Sequence, residues 1–163
     1  FLWVETNGLK GERADLSGMD LSGMDLSGCA LSGATMRGSN LKGANLNKAQ
    51  TVMSDMSQCI MEEINLSGAV MEGVNLSRSN LKNARLKGAI MTAVDLKDSK
   101  GESLGKKWPA NLSAANFSGA NLEGADMTDA NLIDANFKGA NLTGAIFTDA
   151  DMEDAQFDKK ISA

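Results

Sequence analysis

Few side chains in this sequence are suited to covalent or acid–base chemistry, and their spacing works against it. Among 163 residues there is no His and no Tyr, which removes the commonest general acid/base. Cys29 and Cys59 stand 30 positions apart, without metal-ligand spacing and without an imidazole to activate either thiol. The 21 carboxylates fall where solvated surface is expected, and a catalytic pair needs desolvation that such positions do not give. The glycines form no phosphate-binding loop. The sequence therefore predicts no enzyme, no catalytic residue, no bound metal and no cofactor.

Chemistry of recognition is better represented. Lys106, Lys107 and Trp108 make the one basic-aromatic cluster. Residues 1–109 hold 12 acidic and 13 basic side chains, a net +1, whereas residues 110–163 hold 9 and 3, a net −6. In the acidic stretch Asp129 precedes Asp149 by 20 positions, and Asp134 precedes Asp154 by the same interval. Phosphate contacts need a basic stripe that the chain lacks, so direct nucleic-acid binding is not expected.

What positions these residues is a repeat of five. Ala14-Asp15-Leu16-Ser17-Gly18, Ala44-Asn45-Leu46-Asn47-Lys48 and Ala120-Asn121-Leu122-Glu123-Gly124 share one order: small, polar, large apolar, polar, then Gly or polar. The large residue, the centre, recurs from Leu16 to Leu96 and again from Leu112 to Phe157. That makes 17 pentapeptides in residues 14–98 and 10 in residues 110–159. A period of five matches neither the 3.6 of a helix nor the 2.0 of a flat strand. A chain turning a corner every five residues buries the small residue and the centre while wetting the other three. Four corners close a coil of 20, and coils stack at strand spacing, about 4.8 Å.

Side chains 20 apart test that number. Phe117, Phe137 and Phe157 would stack in one inner column, as would Met36 with Met56 and Met71 with Met91. Lys42, Glu62 and Lys82 would form an outer ladder of alternating charge. Thr51 occupies a centre, and Met19, Met24, Ile64, Val74 and Val94 replace the small residue, which predicts a less regular first segment. In the second, every small position from Ala110 to Ala155 is Ala. Cys29 and Cys59, one and a half coils apart, fall on opposite walls, so no disulfide is expected and both thiols act as small core filler.

The recurring A-(D/N)-L-x-x run resembles the pentapeptide-repeat family over roughly residues 14–159. The resemblance implies an all-β fold, a right-handed quadrilateral parallel β-helix of roughly seven coils, in a bacterial or phage protein. It also implies one alternative function. Some members mimic duplex DNA in shape and charge, bind DNA gyrase or topoisomerase IV and protect it from quinolones. The −6 segment is compatible with this; the neutral first segment, the scarcity of Phe at its centres and the missing dimer element are not.

Departures from the repeat divide the chain. Residues 1–13 are expected to be an N-terminal cap with Trp3 over the first coil, since a solenoid needs its open end covered. Residues 14–98 form the first repeat segment. Residues 99–109 interrupt it, as a protruding loop or as an irregular coil with Leu104 and Trp108 inward. Residues 110–159 form the second segment and 160–163 a tail. No apolar run reaches membrane-spanning length, and a cytoplasmic location is expected.

The wall of Leu31, Thr51, Met71 and Met91 differs from the other three. Instead of Asp, Asn, Ser and Lys it turns Ala30, Val52, Met53, Val70, Ile90 and Ala93 outward. An apolar stripe on an outer wall predicts a contact surface for a protein partner, a second copy or a neighbouring domain. The expected function is a non-enzymatic scaffold or protein-interaction module.

Overall fold

The five-residue unit folds as the spacing requires. In the computed structural model, which describes residues 13–158, the residue before a centre bridges its counterpart on the next coil, always in parallel and 20 positions on within each repeat segment: Asn45 with Asn65, Val70 with Ile90, Asn121 with Asn141. Backbone bonds tie each rung both ways. Leu46 N–H donates to Asn65 O at 2.7 Å, and Asn65 N–H to Ala44 O at 3.0 Å. The turn closes through the next small residue, as Ala49 N–H donates to Leu46 O at 3.0 Å. Residue two after the centre then takes positive φ, which explains why Gly recurs there. Met53, Ala114 and Asp129 adopt the same conformation, with φ of 54°, 53° and 59°, at a cost of about 1–2 kcal/mol for a side-chain-bearing residue.

The polar residue before the centre has two tasks. Its side-chain oxygen accepts the N–H two residues on, as in Asp15 Oδ1 with Ser17 N at 3.0 Å, a local bond for which Asp and Asn are suited. Where it is Asn, the amide can also donate to the rung below: Asn65 Nδ2 to Asn45 Oδ1 at 3.0 Å, Asn116 Nδ2 to Asn80 Oδ1 at 3.1 Å. This ladder gives the D/N preference a physical cause that spacing alone did not reveal.

Inside, Phe117 and Phe137 stack with centroids 5.1 Å apart and planes 2° from parallel, and Phe137 stacks on Phe157 at 5.2 Å. Met36, Met56, Met71 and Met91 are fully buried in their columns. Ser39, Cys59 and Ser79, one above another at a small position, donate to Leu16 O, Met36 O and Met56 O. Cys59 serves as a small donor, and burial pushes its thiol up from the ordinary value. Neither Cys29 nor Cys59 is in a disulfide.

Four particulars differ from expectation. The spacing carries the repeat through Asp98, but the backbone leaves the coil after Thr92. Asn75 bridges Asn111, 36 positions on, so 16 residues stand outside the 20-residue coil. Those residues pair with themselves as an antiparallel hairpin, β1 (Val94–Lys97) and β2 (Ser103–Trp108). Leu96 is thus paired with Lys106 and is no centre, and Val94 is no inward small residue. Met19 and Met24 lie about half exposed, 47% and 46%, because they belong to the first described coil. Lys42 meets Glu62 at 3.3 Å, but the ladder stops there: the other oxygen of Glu62 accepts Asn80 Nδ2, and Lys82 makes no ion pair among the described residues. The cap expected over residues 1–13 with Trp3, Arg13 apart, and the tail 160–163 lie outside the described residues.

Candidate functional site

The interruption is a protruding hairpin, not an irregular coil, and its geometry gathers most of the residues singled out in the sequence. Val94 faces Trp108 and Leu96 faces Lys106 across the two strands, so in strand alternation these four share one face. Asp95 and Lys107 take the other. A bulge between Leu96 and Lys97, with Gly105 at φ 64°, shifts the register toward the tip.

The Val94–Trp108 face leans on the solenoid corner that follows Met71. At Gly73 a Cβ would stand 2.9 Å from Val94 Cγ2, 3.2 Å from Trp108 Cδ1 and 3.3 Å from Met53 Cγ. Only a residue without a side chain lets the hairpin and Met53 close over that point, and its φ of 63° also favours glycine. The opposite face is held by charge. Lys107 Nζ meets Asp129 Oδ2 at 2.6 Å. The Asp129 hydrogen bond, then its charge and more weakly those of Asp149 and Asp95, raise the Lys107 ammonium above its ordinary value.

The result is an apolar surface with a wet margin. Trp108 is 53% exposed, Leu104 54% and Met53 44%. Val70 and Ile90 bridge on adjacent rungs of the wall leading to this corner, Ile90 exposed and Val70 half-buried. Val52 and Ala93 are half-buried at the corner itself. Lys106 is exposed and in no ion pair among the described residues. Asp134 and Asp154 lie exposed around the coil from Asp129 and Asp149, each at a positive-φ turn position.

Structure therefore joins two separately predicted features, the Met53 end of the stripe and Trp108, through Gly73. Glycine at 73 is the residue that sequence reasoning passed over, because Gly is the commonest residue at that repeat position. The second feature that spacing did not reveal is Lys107 answering the acidic column at Asp129. No group of His, Cys, Asp and Glu suited to a metal occurs among the described residues. No helix there is long and apolar enough to cross a membrane.

Comparison with known proteins places this geometry. A family model described as pentapeptide repeats matches eight copies, over residues 12–47, 59–98, 110–149 and 127–159. Among solved structures, a trypsin-treated form of QnrB1, a plasmid-mediated fluoroquinolone resistance protein, matches at 21% identity with a TM-score of 0.51, over 88% of this chain and 77% of that one. HetL, involved in heterocyst differentiation regulation in the cyanobacterium Nostoc sp. strain PCC 7120, matches at 29% identity with a TM-score of 0.36, over 90% of this chain. The chain spans 65% of the length of HetL. Rfr23 from the cyanobacterium Cyanothece 51142 matches at 25% identity with a TM-score of 0.34, over 89% and 88% of the two chains. No curated protein matches the sequence.

Proposed function

The chain belongs to the pentapeptide-repeat family, and from that premise we propose that it is a non-enzymatic scaffold whose corner hairpin binds a protein partner. The reading takes the coil as right-handed and four-sided, with roughly seven turns, in the cytoplasm. One observation carries it. On a solenoid whose outer rungs are mostly Asp, Asn, Ser and Lys, the hairpin sets half-exposed Trp108 beside half-exposed Met53 over Gly73 and carries half-exposed Leu104 further along the same strand. Aromatic and Met side chains in such a patch, rimmed by Lys106 and the Lys107–Asp129 pair, are the composition of an interface centre. Val70 and Ile90 extend it along the adjoining wall.

The test is co-purification of the tagged chain with its partners, repeated with Trp108→Ala and with Val70→Asp combined with Ile90→Asp. Loss of the same partner in both variants, at unchanged thermal midpoint, supports the reading. Retention by both sinks it.

A second reading, gyrase protection through the acidic columns, draws on the net −6 of residues 110–163 and on a fold shared with QnrB1. Lys107 counts against it, because it neutralises Asp129 and interrupts the anionic face. Supercoiling by gyrase under quinolone, with and without excess protein, decides: protection revives this reading, and no effect removes it.

A further inference from the structure

Beneath Trp108, which the partner surface also employs, lies a groove that runs onto the next wall. It has a volume of about 280 Å³ and runs from Trp108 and Pro109 across Gly73 to Asn75, Asn111 and Asn131 on the next wall. That is just below the range for drug-sized ligands, about 300–1,000 Å³, so it suits a single ring. No charged side chain lines it, which disfavours an anion or a cation as occupant.

Its polar edge leaves amide donors unused. On the neighbouring wall the asparagine amides are used up in the ladder: Asn116 donates to Asn80 at 3.1 Å, and Asn136 to Asn116 at 3.2 Å. On the groove wall the ladder ends at Asn75. Asn75 Nδ2 donates to Asp55 at 3.2 Å, but among the described residues Asn111 Nδ2 and Asn131 Nδ2 donate to nothing. Their oxygens are differently engaged. Asn111 Oδ1 accepts both the backbone N–H and the hydroxyl of Ser113, while Asn131 Oδ1 accepts only Ile133 N. The groove thus offers two open amide donors, a spare lone pair on Asn131, and a half-exposed indole.

We infer that this groove binds a neutral saccharide, one pyranose ring lying against Trp108 with its hydroxyls on the amides of Asn111 and Asn131. Each hydroxyl both gives and accepts a hydrogen bond, which matches Asn131, whose N–H groups and second lone pair are open, while Asn111 serves as a donor only. The C–H face of the ring supplies an apolar surface to pack against the half-exposed indole. This inference is independent of the partner reading, although both employ Trp108.

The test is an NMR titration with cellotriose, maltotriose, chitotriose and lactose. It follows the Trp108 indole N–H and the side-chain amides of Asn111 and Asn131. At least one sugar is expected to shift all three signals saturably, and Asn111→Ala with Asn131→Ala is expected to weaken that sugar about tenfold. Far-UV circular dichroism and the thermal midpoint check the fold of the double variant. If it unfolds early, Asn131→Ala alone carries the comparison. No shift with any sugar at millimolar concentration overturns the inference. So does a shift undiminished by the substitutions, or one produced equally by a proline-rich peptide or by inorganic phosphate. A sugar shift that survives while partner capture fails leaves the groove standing without the interface.

Discussion

The stretch before the hairpin and the stretch after it use the same rung but fill it differently. Up to Thr92 the core mixes Leu and Met with Ile64, Val74, Thr51 and the donor column Ser39, Cys59, Ser79. After Pro109 the small position is always Ala, and three Phe rings stack in register, with Phe147 edge-on to Phe137 at 5.9 Å. The later stretch needs no internal polar compensation. The earlier one bonds the buried hydroxyls of Ser39, Ser54 and Ser79 to carbonyls, whereas Thr51 Oγ1 is buried with no partner among the described residues. Regular filling and tolerance of exceptions are thus separated along one chain, and the hairpin sits at the junction.

That contrast can be broken most severely at Phe137. Phe137→Ala removes the ring between Phe117 and Phe157 and should cost about 3–5 kcal/mol in chemical denaturation. Phe137→Leu imports the residue that Leu41 and Leu81 supply in the same column and should cost less. Equal losses would mean that stacking adds nothing to bulk.

Next comes the junction itself. Gly73→Ala combines a positive φ, worth about 1–2 kcal/mol, with a collision against Val94 and Trp108. Gly43→Ala has the same kind of φ, 65°, and open space around its Cβ. The Gly73 variant should lose more stability and also release Trp108, seen as a red-shifted fluorescence component. Matching losses without that shift would detach the hairpin from the wall.

In the first stretch the exception is removable. Thr51→Val keeps the shape and deletes the unpartnered hydroxyl, and should raise stability by about 1 kcal/mol. A loss instead would show that Thr51 has a partner after all.

Smallest are the charge effects, which have opposite signs in the two stretches. Lys107 is raised by Asp129, so its contribution is complete below the ordinary lysine value of 10.5 and fades as pH climbs through the raised value. Lys107→Ala should therefore lower stability slightly at neutrality, by the whole of that contribution, and make no difference above the raised value, so that the alkaline fall of the parent is lost. Asp15, Asp20 and Asp25 are lowered from 3.8, first by the hydroxyls of Ser17, Ser22 and Ser27 and then by their N–H groups. Their contribution is complete above 3.8 and disappears as pH falls through the depressed values. Replacing all three by Asn keeps the local turn bond and should flatten the acid limb of a pH titration.

The wall positions were legible because the five-residue period is set by corners and burial, which act on residue type directly. Phe117, Phe137 and Phe157 announced their column for that reason. The hairpin boundary was not legible: Val94 and Leu96 satisfy the repeat as well as they satisfy a strand, and only pairing with Trp108 and Lys106 distinguishes the two. Gly73 was hidden by its own regularity, since its repeat position is glycine in many coils. Trp108 was conspicuous by type, whereas its approach to Gly73 beside Met53 depends on a fold-back that no local pattern encodes.

Everything proposed for function depends on that fold-back. The most direct measurement is a solution NOE between Trp108 Hδ1 and the Gly73 α protons, in the chain as it stands. A strong cross-peak, with further contacts from the indole to Met53 and Val94, is the predicted result. Its absence, with the Trp108 side chain showing solvent-like shifts, would contradict the docked hairpin and remove both the partner surface and the groove built on it.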